Sequence, residues 1–479
     1  MKYLLILLTG ALCLSCNKYL DVKPADKFLD DQVFTNKYAI EAALNGIYLN
    51  IVKENLYGAN LSATTIDAMA QYYNTSNATH KLNTISTYTY TNLASQTIYA
   101  NIWSGAYAAV LNLNIFSQKL VAVNLPSLPD AEKNILAGEA KAMKAMLCFD
   151  MLRLFGPIYK TDSLVKSIPY PNTVGSSVST SLSAAAVIDS VLADLNTALV
   201  LLDKDPVKSE GVTNPNSTTS YNFYMGRNRR MNYYAVLALL ARTHLYRGNK
   251  PMALFYAEKL IKEGSKWFPW SNPSLNPGSP DRVFSSELLF APENIDLYKI
   301  HRAWFAAANT TSTSLLIPFY DASILADRLA ETYERQDNDY RYKLWWEVDL
   351  TATLGVKTLF KFVEPSTLNN AFRYMQPLVR ISEAYLIAAE SSPKADSATY
   401  YLNQLQFNRG LHNLPDVYDL ATELEKAYKK ECWGEGQLFF FYKRINKATI
   451  KSGTSNTANQ TMNAAKYVVP LPLTETQFR

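Results

Sequence analysis

Residues 231–247 and 252–263 constrain the fold most tightly, because they read as two helices joined by a turn short enough to reverse the chain. The first run carries Val236, Leu237, Leu240 and Leu245 at helical spacing and stops at Gly248-Asn249. Pro251 then suits the first turn of the second run, which ends at Gly264. Ala241, Gly248, Ala253 and Ala257 are small where two antiparallel helices must approach, which is the spacing of a tetratricopeptide-type unit. The pairing recurs in residues 132–155 with 183–202, 378–390 with 395–409, and 38–51 with 98–120, and a single helix is expected at 422–433. Such hairpins cannot bury their apolar faces alone, so a mainly α fold is expected in which they stack into a scaffold.

Long polar segments separate the pairs. Residues 57–97 are crowded with Thr, Ser, Asn and Tyr, and residues 264–375 contain five of the seven tryptophans: Trp267, Trp270, Trp304, Trp345 and Trp346. Loops of this length are uncommon in compact proteins and are usually functional. The expectation is a tetratricopeptide-like helix-hairpin scaffold carrying a loop-rich, irregular second lobe at 264–375.

The first residues predict how the chain is held. Lys2 precedes an apolar run over residues 3–14, too short to cross a hydrocarbon core of about 30 Å, and Ser15-Cys16 closes it in the bacterial lipoprotein pattern. Residues 1–15 are therefore expected to be removed and Cys16 to become an acylated N-terminus, with several acyl chains giving lasting attachment. No later stretch reads as long and apolar enough to span a bilayer, so the body is expected to be soluble and tethered. A net charge of +5 without basic runs gives no reason to expect a nucleic-acid partner. Cys148 and Cys432, each in a helical run, are expected as buried thiols, with a disulfide between them as the alternative.

The chain lacks the motifs of catalysis. None of the four histidines, His80, His244, His301 and His412, forms an H-E-x-x-H pair or a close cysteine-histidine cluster, and there is no Gly-x-Ser-x-Gly elbow or phosphate-cradling loop. No catalytic residue, metal or cofactor is expected. Glu139 with Asp150, or Glu383 with Glu390, could supply two glycosidase carboxylates, but Arg153 and Arg380 lie three residues from Asp150 and Glu383, so ion pairs are expected instead. Asp337-Asn338-Asp339 lacks the glycine and distal glutamate of a calcium loop and is read as a solvated turn.

Sugar binding needs flat apolar faces for pyranose C–H bonds and polar side chains for the hydroxyls. Tyr and Trp supply the faces with little rotamer freedom to lose. Asp67, Tyr72, Tyr73, Asn74, Trp267, Trp270 and Trp304 form the loop set with that composition and are the expected ligand contacts. Trp103, Trp433 and the Trp345-Trp346 pair are expected to be packed.

Several separated motifs resemble the SusD/RagB family of Bacteroidetes outer-membrane nutrient-uptake lipoproteins. They are Cys16-Asn17-Lys18-Tyr19-Leu20-Asp21 with Pro24, Trp103-Ser104-Gly105-Ala106-Tyr107 leading to Asn112, Gly138-Glu139-Ala140 through Arg153-Leu154-Phe155-Gly156, residues 235–248, Val379-Arg380-Ile381-Ser382-Glu383-Ala384, Leu402-Asn403, and the tail Val468-Val469-Pro470-Leu471-Pro472. Lys141 and Lys144 depart from it, standing where the family often has arginine. The resemblance divides the chain into a leader at 1–15, an N-terminal region at 16–230 and a C-terminal region at 231–479. It implies a non-catalytic, lipid-anchored protein at the cell exterior that passes oligosaccharide to a SusC-like TonB-dependent outer-membrane channel. A peptide-binding member with the same role is the alternative, and a lipid-anchored hydrolase is the rival of another class.

Overall fold

In the computed structural model the described residues are 33–174, 179–212, 222–272, 278–309, 313–350, 355–366 and 370–477. The leader, Cys16 and the motif that follows it lie outside them.

The helices of eight residues or more are α1 (Lys37–Ile51), α2 (Leu93–Val121), α3 (Asp130–Phe155), α4 (Ala184–Leu201), α5 (Tyr233–Arg247), α6 (Lys250–Gly264), α7 (Leu297–Trp304), α8 (Ile381–Ser391), α9 (Ala395–Phe407), α10 (Leu420–Glu431) and α11 (Leu438–Ile445). Successive long helices pack on one another: α1 on α2, α2 on α3, α3 on α4, α4 on α5 and α5 on α6, then α6 on α8 and α8 on α9. This is the expected stack of hairpins, with the 265–380 lobe inserted between α6 and α8.

Local chemistry sets the helix ends. The Asn232 side chain accepts from the N–H groups of Tyr234 and Ala235 at the start of α5. Gly248 closes that helix in the left-handed region, φ +85°, and the Asn249 side chain caps the start of α6 through Met252 N–H. Ala241, Ala253 and Ala257 are completely buried, as close approach of the two helices requires.

Helix α4, with its following turn, is long and apolar enough over Ala184–Lys204 to cross a membrane by length and composition, contrary to the sequence reading. Within the fold it buries Val187, Ile188, Val191 and Leu195 against its neighbours, and its Asp194 carboxylate faces Lys141 and Lys144 of α3. With Asp189 exposed on its outer face and Asp194 paired to the α3 lysines, it is an amphipathic layer of the scaffold.

The strands among the described residues form two-stranded antiparallel ribbons only. One ribbon, Leu288–Phe290 against Val379–Arg380, ties the inserted lobe to the start of α8. Cys148 and Cys432 are separate buried thiols, which settles the alternative left by the sequence. Trp103, Trp345, Trp346 and Trp433 are buried, as expected.

Candidate functional site

The seven expected ligand residues fall in different places. Asp67 lies in a short helix, Thr65–Met69, with no accessible surface, and its carboxylate accepts the backbone N–H groups of Gly434 at 2.7 Å and Gly436 at 3.0 Å. Burial pushes this carboxyl up to about 8, against the opposing pull of the two glycine N–H groups and Lys361. Tyr73, also fully buried, donates its hydroxyl to Asp67 at 3.3 Å. Tyr72 stacks on Trp433 at 3.7 Å and donates its hydroxyl to the Lys429 carbonyl at 2.8 Å. These three residues clamp the 67–73 segment onto the 429–436 segment, and their burial takes Asp67 and Tyr73 out of reach of a ligand. Residues so far apart in the chain carry no local sign of such a clamp.

Asn74 and Trp304 flank one strand-like segment, since Asn74 N–H bonds to the Ile317 carbonyl and Leu316 N–H to the Trp304 carbonyl. Both are half-buried, and the Lys81 ammonium lies 5.6 Å from the Trp304 ring. Trp267 packs over Gly211, which sits at φ +68° and where a Cβ would run into the indole. That leaves Trp270, which opens onto a groove.

The groove has a volume of about 840 Å³ and is lined by Trp270, Asn272, Tyr340, Phe407, His412 and Asn413, among others. It lies where the chain leaving α6, the short helix Tyr340–Trp345 and the C-terminal end of α9 meet. Phe407 is 72% exposed and lends an apolar ring to the groove lining.

Beneath the groove is a buried ionic network. Arg409 donates to both oxygens of Glu287, at 2.8 and 2.6 Å, and to both of Glu431, at 2.6 and 3.1 Å. Glu287 in turn accepts Ser271 N–H at 3.0 Å, and the Arg409 guanidinium lies 5.0 Å from the Trp270 ring. Arg341 joins Glu431 to Asp339, whose carboxylate also caps the helix that begins at Tyr340. Tyr340 N–H bonds to the Arg409 carbonyl at 3.0 Å. One network thus holds Trp270, Ser271 and Tyr340 from three chain segments, which preorganises the groove. Burial alone would raise the Glu431 carboxyl, but Arg409, Arg380 and Arg341 hold it well below the carboxylate range.

This network corrects two expectations. Asp339 is fully buried rather than solvated. Glu383 pairs with Arg242, because Arg380 is committed to Glu431 and Glu435. Asp150 does pair with Arg153, while Glu139 pairs with Arg227 and Glu390 with Arg444. Among the described residues no group of three or more His, Cys, Asp or Glu is placed to hold a metal ion.

Tyr340, Phe407, His412 and Asn413 were not anticipated as ligand contacts. The signal available was Asn408-Arg409-Gly410 directly after a helical run, where a glycine stop is followed by Leu411-His412-Asn413. Chemically the groove offers an indole, a phenol and a phenyl ring beside side-chain amides and an imidazole, a set suited to neutral polyhydroxyl ligands.

A family model described as starch-binding, associating with outer membrane, matches residues 18–225. Among solved structures, a SusD superfamily protein from Bacteroides thetaiotaomicron superposes with a TM-score of 0.71 at 21% identity, covering 91% of this chain and 97% of that one. A SusD-like carbohydrate binding protein from Bacteroides vulgatus gives 0.68 at 17% identity, covering 91% and 95%. A laminarin binding SusD-like protein gives 0.61 at 16% identity, covering 92% and 97%. No curated protein sequence matches the chain. The N-terminal region at residues 18–225 thus matches the starch-binding, outer-membrane-associating family model, and the chain shares the fold of SusD superfamily structures over nine-tenths of its length.

Proposed function

We propose that this protein is a non-catalytic, lipid-anchored surface protein that binds oligosaccharide and delivers it to a SusC-like TonB-dependent outer-membrane channel. The observation that carries the reading is the groove at Trp270, where three aromatic rings and several amides face a space of about 840 Å³ held open by a buried ionic network. The laminarin-binding relative and the starch-binding description of the family model support a glycan as ligand. Acylation at Cys16 supplies the anchor, and exterior orientation and channel pairing follow the family.

Calorimetry on the acyl-free body with β-glucan and starch-derived oligosaccharides tests the binding step. At least one oligosaccharide class is expected to bind without being cleaved. Phe407→Ala and Trp270→Ala are each expected to weaken it about tenfold or more, the loss of 1.4 kcal/mol or more from one stacking face. Phe407 is exposed, so its substitution leaves the fold intact. Unchanged affinity in both variants would remove the groove as the site, and released reducing ends would replace a binder with a hydrolase.

A further inference from the structure

Phe407, in the wall of the groove, is the last residue of α9, and the helix runs back from it along the surface. Ala398, Leu402 and Leu405 form the buried face of α9. Tyr400 and Phe407 lie on the opposite face, almost two full turns apart, and are 57% and 72% exposed. The rise along the helix between them is about 10.5 Å, roughly the length of two sugar rings in an extended glycan. Gln404 lies between them on the same face and brings a side-chain amide.

A single exposed ring calls for no ligand. This face, however, is tied to the groove and flanked on both sides. Tyr400 meets Tyr401 edge to face at 5.3 Å, Tyr401 packs on Tyr385 at 6.4 Å, and Tyr385 packs on Trp270 at 4.9 Å. A continuous line of rings therefore links Tyr400 to the indole in the groove. On one flank the Tyr401 hydroxyl donates to Glu258 of α6 at 2.7 Å. On the other, Leu414 N–H donates to the Asn403 side chain at 2.8 Å, and the Thr399 and Tyr418 hydroxyls bond at 2.7 Å. These bonds lay the chain that follows His412 and Asn413 along α9 while leaving Tyr400 uncovered. Asp396, one turn before Tyr400, is the charged side chain of α9; it accepts hydroxyl hydrogen bonds and disfavours an anionic chain.

We propose that Tyr400 is a further stacking subsite continuous with the groove, so that a neutral glycan chain passes from Trp270 over Phe407 to Tyr400. Gln404 meets a hydroxyl between the two α9 rings. The inference rests on the reading of the groove as a glycan site and deepens it: the ligand is a chain long enough to reach Tyr400, not a short oligosaccharide.

The test is calorimetry on the acyl-free body with laminaritriose, laminariheptaose, maltotriose and maltoheptaose. In the series that binds, the heptaose is expected to bind about tenfold or more tightly than the triose. Tyr400→Ala is expected to weaken the heptaose about fivefold and leave the triose unchanged, while Tyr400→Phe keeps the ring and should stay within about twofold of the wild type. Tyr400 is exposed, so neither variant threatens the fold. Unchanged heptaose affinity in Tyr400→Ala would overturn the proposal. So would equal weakening of triose and heptaose, which would mean that Tyr400 acts only by supporting Trp270 through Tyr401 and Tyr385. A Tyr400→Phe variant as weak as Tyr400→Ala would replace stacking by a hydroxyl contact and overturn it as well. In each of these cases the groove still binds glycan and this inference alone falls. If none of the four oligosaccharides binds, the glycan reading of the groove falls with it.

Discussion

At Asp67 the fold buries a carboxyl without placing a cation in contact with it. Two glycine N–H groups and the Tyr73 hydroxyl solvate it, yet burial dominates and raises it from 3.8 to about 8. In the unfolded chain it ionises near 3.8, so between pH 3.8 and 8 the folded state holds a proton that the unfolded state has released. Stability linked to this group is therefore fully present below pH 3.8 and is lost as pH rises towards 8, at up to about 1.4 kcal/mol per pH unit. Asp67→Asn keeps one oxygen for a glycine N–H and cannot ionise. Urea unfolding at pH 5 and pH 7.5 should show the wild type losing about 2–3 kcal/mol more than the variant across that interval. Equal losses in the two proteins would mean that Asp67 is charged in the fold at pH 7.5. The same residue marks a limit of sequence reading: Asp67, Tyr72 and Tyr73 stood out by composition, but their acceptors and stacking partners lie at 429–436, and nothing local distinguishes a polar cluster that binds sugar from one that binds a distant loop.

The helices were legible because their determinants are local. Apolar spacing, Asn caps and glycine stops put α3, α5, α6, α8 and α9 within a few residues of the expected bounds, and α2 starts at Leu93 instead of 98 because Asn92 caps it through Ala94 N–H. The groove was not legible, since Trp270, Tyr340 and Phe407 belong to three elements joined only by the Arg409 network. Two glycines separate these kinds of information. Gly248 has φ +85° and open space around its Cβ position, so Gly248→Ala should cost about 1 kcal/mol, from backbone conformation alone. Gly410 has φ +76°, and there a Cβ would meet the Tyr340 ring and lie 2.8 Å from the Asn338 carbonyl oxygen. Gly410→Ala should add a packing cost of about 1–3 kcal/mol to the same backbone penalty and displace Tyr340. Chemical denaturation should rank the two in that order. Only Gly410→Ala should also weaken oligosaccharide binding, which distinguishes a helix stop from a groove wall.

Across the whole molecule, described residues up to 230 and described residues from 231 on are joined by buried polar contacts. Lys443 of α11 is completely buried, and its ammonium donates to the carbonyl oxygens of Arg153 at 2.8 Å, Leu154 at 3.2 Å and Gly156 at 2.7 Å, capping the C-terminal end of α3. The Asp67 carboxyl crosses the same divide to Gly434 and Gly436, the Arg153 guanidinium donates to the Gln437 side chain at 2.8 Å, and Tyr48 accepts Met231 N–H at 2.9 Å. A cut near 230 would take from Asp67 its two glycine N–H donors and from the carbonyl oxygens at the end of α3 the Lys443 ammonium, and each orphaned buried group costs about 1–3 kcal/mol. A fragment covering 33–230 should therefore lack fixed near-ultraviolet circular dichroism on its own and regain it when mixed with 231–479. The intact body should unfold in a single transition seen alike by far- and near-ultraviolet signals. Lys443→Met, apolar and of similar length, strands the three carbonyl oxygens at the end of α3 and should lower stability by about 2–5 kcal/mol without splitting that transition. Two resolved transitions in the wild type, or a 33–230 fragment that folds alone, would make the regions independent domains and reduce the Lys443 and Asp67 contacts to an interface between them.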